Sequence, residues 1–137
     1  MIYVFDSSFV GAQIIPDEAD PQISKLYSRI KNEDEKHAPH LIWYEIANIF
    51  ENLIRRKRYT FDEVLQFFSP LAAIRLTLDY EAGVVYTEKL LRLCNDYNLS
   101  SYDAAYLELA GRKKAALCTL DKNLISAAKK FGVTVLK

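Results

Sequence analysis

Little in this chain breaks a regular backbone: among 137 residues there are four glycines and four prolines. No serine- or glutamine-rich tract accompanies them, so the composition argues against a disordered chain. Cysteine is equally scarce. Cys94 and Cys118 lack a C-x-x-C pair or a histidine at metal-ligand spacing, so they read as buried free thiols rather than a zinc site or disulfide. Apolar runs fall far short of the ~20 residues a membrane span needs. The one near the amino terminus is cut by Asp6, which argues against a leader peptide and for a soluble, cytoplasmic protein. A surplus of one charge is also missing, since 18 Lys and Arg balance 18 Asp and Glu. Nucleic-acid binders usually carry a basic surplus, so any contact with a polyanion has to come from a local patch.

What is present is apolar: half the residues are hydrophobic, enough for one sizeable core in a single domain over residues 1–137. Ile2-Tyr3-Val4-Phe5 reads as a short strand. Ile23, Leu26, Tyr27 and Ile30 recur at helical spacing behind the N-cap Asp20 and Pro21. An extended piece reaches Pro39, and Ile42, Ile46, Ile49, Phe50 and Leu53 then line one side of a second helix. Thr60 and Glu63 form a capping-box pattern opening a third, which Pro70 is expected to close. The alternation Ile74, Leu76, Leu78 predicts a strand. A long helix follows, with Ala82, Val85, Tyr86, Leu90, Leu93 and Tyr97 on one face, and then a helix over "SSYDAAYLELAGRKK". A strand over "AALCTL" (115–120), a helix ended by Gly132 and a last strand at 133–136 complete the chain. Strands alternate with helices and lie too far apart for hairpins, so the expected class is α/β with a mostly parallel central sheet flanked by helices.

Four acids stand out against this plan. In a parallel sheet, ligands bind outside the carboxyl ends of the strands. Asp6 directly follows the first strand, and Asp121 directly follows "AALCTL". Either alone is an ordinary helix cap. Ser7 and Ser8 beside Asp6, and Thr119 two residues before Asp121, offer nearby hydroxyls. Asp103 shares a helix face with Tyr106, Leu107 and Ala110, the apolar stripe that must meet the sheet, where an unpartnered carboxylate is costly. Glu45 lies at the edge of the buried stripe of its helix. Elements of this kind bring their ends to one edge of the sheet. Two carboxylates about 4 Å apart repel by ~4 kcal/mol at an effective dielectric near 20, so a cluster needs protons or cations. With oxygen donors only, the fitting cation is Mg²⁺ or Mn²⁺. Metal-assisted phosphodiester hydrolysis is the chemistry such a site serves best.

The stretches "VFDSSF", "WYEIANIF" (43–50), "SYDAAYLELA" (101–110) and "LCTLDKNLISAAKKFGV" (117–133) together resemble a PIN-domain ribonuclease, most similar to the VapC toxins of bacterial toxin–antitoxin systems. The resemblance spans the whole chain. It implies a three-layer PIN-like domain and an endoribonuclease dependent on Mg²⁺ or Mn²⁺, with Asp6, Glu45, Asp103 and Asp121 as the acidic quartet. Asp6 and Asp103 would be the most direct metal ligands, with Asp121 serving a second ion and Glu45 binding metal or orienting the attacking water. Ser7 or Ser8, and Thr119, would hydrogen-bond to the carboxylates. The resemblance further implies an RNA substrate, a homodimer, and a VapB-like antitoxin that blocks the site.

Two readings compete. A non-catalytic module of the same fold would use its acids only as caps. A haloacid-dehalogenase-like phosphatase would form an aspartyl-phosphate on Asp6, but Ser8 stands where its second acid belongs. Elsewhere, Arg55, Arg56, Lys57 and Arg58 form the one dense basic run, either a solvated helix end or an RNA-phosphate contact. Phe50, Phe61, Phe67 and Phe68 read as core or as a seat for an amphipathic antitoxin segment.

Overall fold

The computed structural model describes residues Met1–Lys137. Four strands, β1 (Ile2–Phe5), β2 (Glu35–Pro39), β3 (Thr77–Asp79) and β4 (Ala116–Cys118), form one sheet in the order β3-β2-β1-β4. Every pairing is parallel. The central strand β1 is covered on both faces, which is why its sequence is continuously apolar rather than alternating; Val4 and Phe5 are wholly buried. From β1 the chain moves to β2 and β3 on one side, then crosses back to place β4 on the other. The carboxyl ends of β1 and β4 therefore flank the switch point of the sheet, where open α/β sheets form their ligand crevice.

Eight helices surround the sheet: α1 (Ser7–Ile14), α2 (Pro21–Tyr27), α3 (Ile42–Arg55), α4 (Phe61–Leu65), α5 (Phe68–Ala73), α6 (Val84–Tyr97), α7 (Ser101–Lys113) and α8 (Lys122–Phe131). Helix α7 packs on β1, β2 and β4 and is itself backed by α6, while α1 packs against α2, α3 and α5. Residues Ala104–Ala110 of α7 are buried on every side. The α/β class expected from the alternation of elements and the three-layer arrangement implied by the resemblance are both present, and the sheet is parallel throughout.

Several local expectations are corrected. Periodicity marks no helix between Phe5 and Asp20, although Asp6 reads as an ordinary helix cap, and α1 lies there. Phe9, Val10, Gly11, Ala12 and Ile14 are all buried, so α1 has no polar face and shows no helical period. Pro70 does not end a helix. The chain breaks earlier, at Gln66 and Phe67, and Pro70 sits in the first turn of α5, where its missing N–H leaves no gap in the ladder. The strand expected from Ile74 begins only at Thr77, because Ile74 caps α5 and Arg75 takes a left-handed turn at φ 59°. The last strand is reduced to a single parallel bridge, Leu117 to Val135. Cys118 is buried as expected, but Cys94 is only half-buried.

Candidate active site

Asp6 ends β1 and starts α1. Its extended backbone (φ −92°, ψ 173°) turns the carboxylate back over the helix terminus, where the Phe9 N–H donates to Oδ1 at 2.9 Å. The Ser8 hydroxyl donates to the same oxygen at 2.7 Å, and the Thr119 hydroxyl donates to Oδ2 across the switch point. Thr119 in turn accepts the Asp121 N–H at 3.0 Å, and Ser8 accepts the Leu120 N–H at 3.0 Å. The β1–α1 and β4–α8 junctions are thus sewn together through one carboxylate. Thr119 was expected beside Asp121, but its hydroxyl serves Asp6; Ser7 makes no such bond.

Asp121 caps α8 through the Leu124 N–H (2.8 Å). Asp103 lies in the first turn of α7, behind the N-cap Ser100. Because α7 leads into β4, it runs back against the strand direction and brings its first turn to the carboxyl edge. Glu45 lies in the first turn of α3, half-buried, and Oε1 accepts a hydrogen bond from the Tyr106 hydroxyl. Tyr106 is 1% exposed. Its place in the apolar stripe of α7 was legible in the sequence, but nothing local to it marks its hydroxyl as the anchor of an acid 61 residues away.

Electrostatics tie the four together. Burial pushes the Asp6 carboxyl above the usual range; its three hydrogen bonds pull it back down, and Asp103 adds to the rise. Glu45 is raised by burial, eased by Tyr106, and raised further by Asp6 and Asp103. Asp103 is raised by burial and then by Asp121, with Ser100 easing it. None of the four forms an ion pair with a lysine, arginine or histidine. The contrast within the molecule is sharp. Asp17, Asp34, Glu35 and Asp79 are each held below the usual range, by Arg58, the terminal amine, His37 and Arg112 respectively.

The donor set suits a hard divalent ion: oxygen only, with Asp6 using three of its roughly four acceptor sites on fixed donors and keeping one free. No three acidic, histidine or cysteine side chains converge into a ready-made cage, however. The expectation of a tight cluster is thereby corrected to one of electrostatic neighbours. Like charges without a counter-ion spread apart, and the capping duties of Asp6 and Asp121 hold both back.

The remaining candidates lie elsewhere. Arg55 is about ten residues along α3 from Glu45, or ~15 Å at 1.5 Å per residue. It pairs with Glu51 at 2.6 Å, while Arg58 pairs with Asp17 at 2.7 Å and Glu18 at 3.4 Å. Arg56 and Lys57 cap the exposed end of the helix. A solvated helix end describes this run better than a contact at the acids. The phenylalanines divide: Phe50 and Phe67 join the core, whereas Phe61 and Phe68 are exposed.

Residues 3–130 match the PIN domain. Over 135 residues the chain is 29% identical to "Ribonuclease VapC3" of Pyrobaculum aerophilum, covering 98% of each sequence. Among solved structures it is similar to PAE2754 from the same organism, with a TM-score of 0.69, 19% identity, and coverage of 93% of this chain and 87% of that one. It is also similar to Mycobacterium tuberculosis VapC20, titled a sarcin-ricin loop cleaving toxin, with a TM-score of 0.63, 17% identity, and coverage of 93% and 95%. With Asp6 and Asp121 at the switch point of a wholly parallel sheet and the domain match running almost end to end, this chain belongs to the PIN-domain family.

Proposed function

We propose that this protein is a VapC-like toxin: an endoribonuclease, dependent on Mg²⁺ or Mn²⁺, that is held in check by a cognate VapB-like antitoxin. One observation carries the reading. Four carboxylates stand as electrostatic neighbours along the carboxyl edge of the sheet, three of them with raised proton affinity, and none forms an ion pair with a lysine, arginine or histidine. The ribonuclease relative at 29% identity over nearly the full length supports the choice of RNA.

In this reading Asp6 and Asp103 hold the ion, with Asp121 beside them. A bound divalent ion lowers the pKa of its water and stabilises the leaving oxygen of a phosphodiester. The protein groups do the rest. Ser8 and Thr119 fix the orientation of Asp6, and Tyr106 holds Glu45 so that its free oxygen can accept a proton from the attacking water. Phe61, Leu65 and Phe68, exposed along α4 and α5, form an apolar strip for an amphipathic antitoxin segment. Val84, Val85 and Leu91 on α6 are available to a second copy.

The deciding experiment incubates the purified full chain with structured RNAs in Mg²⁺ or Mn²⁺ and in EDTA, alongside Asp6→Asn and Asp103→Asn. Cleavage confined to the wild type with metal is expected. Cleavage that survives in EDTA, or in both variants, overturns the reading. A capping-only module is favoured by the hydrogen bonds of Asp6 and Asp121 to helix N–H groups. It leaves Asp103 and Glu45 unexplained, since neither caps anything.

A further inference from the structure

Beside the carboxylates lies a cleft that hydrolysis alone does not require. It measures about 470 Å³ and is lined by Leu41, Tyr44, Glu45, Asn48 and Tyr102. Its walls come from the start of α3 and the start of α7. Tyr44 and Asn48 are four residues apart and share one face of α3. Each tyrosine immediately precedes an acid of the site: Tyr44 precedes Glu45, and Tyr102 precedes Asp103. Glu45 belongs to both places, so the cleft is continuous with the acidic edge.

The two rings have no structural task within the chain. Tyr44 is 72% exposed and Tyr102 62% exposed, and neither pairs with another aromatic side chain. No lysine or arginine lines the cleft, so it is not built for phosphate. It offers flat apolar faces, one amide able to donate and accept, and one acid at its rim. That chemistry fits a planar, uncharged heterocycle with polar edges.

We propose that this cleft is a nucleobase subsite, taking one unpaired base of the RNA beside the phosphate held at the acids; the proposal rests on the ribonuclease reading above. Single-stranded RNA is commonly recognised by stacking splayed bases on aromatic side chains and hydrogen-bonding their edges. Here Tyr44 and Tyr102 supply the stacking, and Asn48 reads an edge. Base preference next to the cut therefore depends on position 48.

The test separates binding from cleavage. The full-length chain in EDTA is titrated with a labelled single-stranded octaribonucleotide, and with the same oligomer made abasic at each position in turn. Tyr44→Ala and Tyr102→Ala are expected to weaken binding of the intact oligomer by about 5- to 100-fold, while Tyr→Phe and Tyr→Trp retain it. An abasic residue at one position should weaken the wild type similarly and make it indifferent to the alanine changes. Since both rings are exposed, unfolding midpoints of the variants should match the wild type. Alanine variants that bind RNA like the wild type overturn the proposal. So do variants that lose only an antitoxin peptide, which assigns the cleft to a protein partner instead. Failure of the ribonuclease reading looks different: a wild type that binds base-bearing RNA with this tyrosine dependence yet does not cleave it with Mg²⁺ or Mn²⁺. Failure of the subsite alone gives alanine variants that cleave with unchanged KM.

Discussion

Asp103→Asn should make the metal-free protein more stable and the metal-loaded protein less so. Asp103 carries a raised pKa from burial and from Asp121, stands near Asp6 and Glu45, and has no cationic partner. Unit charges ~7 Å apart interact by about 2 kcal/mol at an effective dielectric near 20, and by about 0.6 kcal/mol in water. Asp103 is half-buried and partly screened, so removing its charge should stabilise the fold by about 1 kcal/mol. For a chain of this length that corresponds to roughly 3–4 °C in melting temperature. The pH dependence has a definite sign. A carboxyl whose folded pKa is raised destabilises the fold only when ionised, so the gap between variant and wild type closes below the unfolded pKa of ~3.9 and grows as pH rises through the folded value. With Mn²⁺ at about 100 times its Kd the wild type gains ~2.7 kcal/mol by mass action, and the variant gains less. Differential scanning fluorimetry across pH, in EDTA and in Mn²⁺, should therefore show the order of the two melting temperatures reverse. A lower melting temperature for the variant in EDTA, or no response of the wild type to Mn²⁺, would refute the reasoning.

Three further outcomes are expected. Tyr106→Phe removes the hydrogen bond that lowers the Glu45 pKa, so the rising limb of the pH–rate profile for RNA cleavage should move to higher pH. An unchanged limb would separate Glu45 from the proton transfer. Thr119→Val strips Asp6 of a donor and the Asp121 N–H of its acceptor, and urea unfolding should show a loss of about 1–3 kcal/mol. Arg112 bridges Asp79 at 2.7 Å and Glu108 at 2.8 Å. Arg112→Ala leaves the buried Glu108 unpaired and should cost roughly 3 kcal/mol in chemical denaturation. Part of that loss should vanish in acid, because Asp79, held low by Arg112, contributes above ~pH 4 and stops contributing as pH falls through its folded pKa.

How far the fold could be read beforehand depended on how each element meets water. Helix α3, with Ile42, Ile46, Phe50 and Leu53 inward and a polar opposite face, declares itself by its period. Helix α1, buried around its circumference, has no period to read. The break between α4 and α5 carries no glycine, so Pro70 looked like the stop. The acids were visible because Asp6 and Asp121 stand at strand ends and Asp103 interrupts an apolar stripe. What binds them was not visible. The Thr119 hydroxyl donates to the carboxylate of Asp6 rather than to that of Asp121, and Tyr106 to Glu45, because only the folded sheet sets those partners side by side; sequence separations of 113 and 61 residues hide them.

The hydroxyl bridge from β4 back to Asp6 has a consequence for synthesis. Thr119 is made 113 residues after the Asp6 carboxylate that it orients. A nascent chain that has not reached residue 119, or a product cut short before it, holds Asp6 without the hydroxyl that orients it and Asp103 without Asp121 beside it. Orientation of the Asp6 carboxylate therefore waits on the pairing of β4 with β1, so the amino-terminal strand cannot present that group correctly until the far side of the sheet has formed.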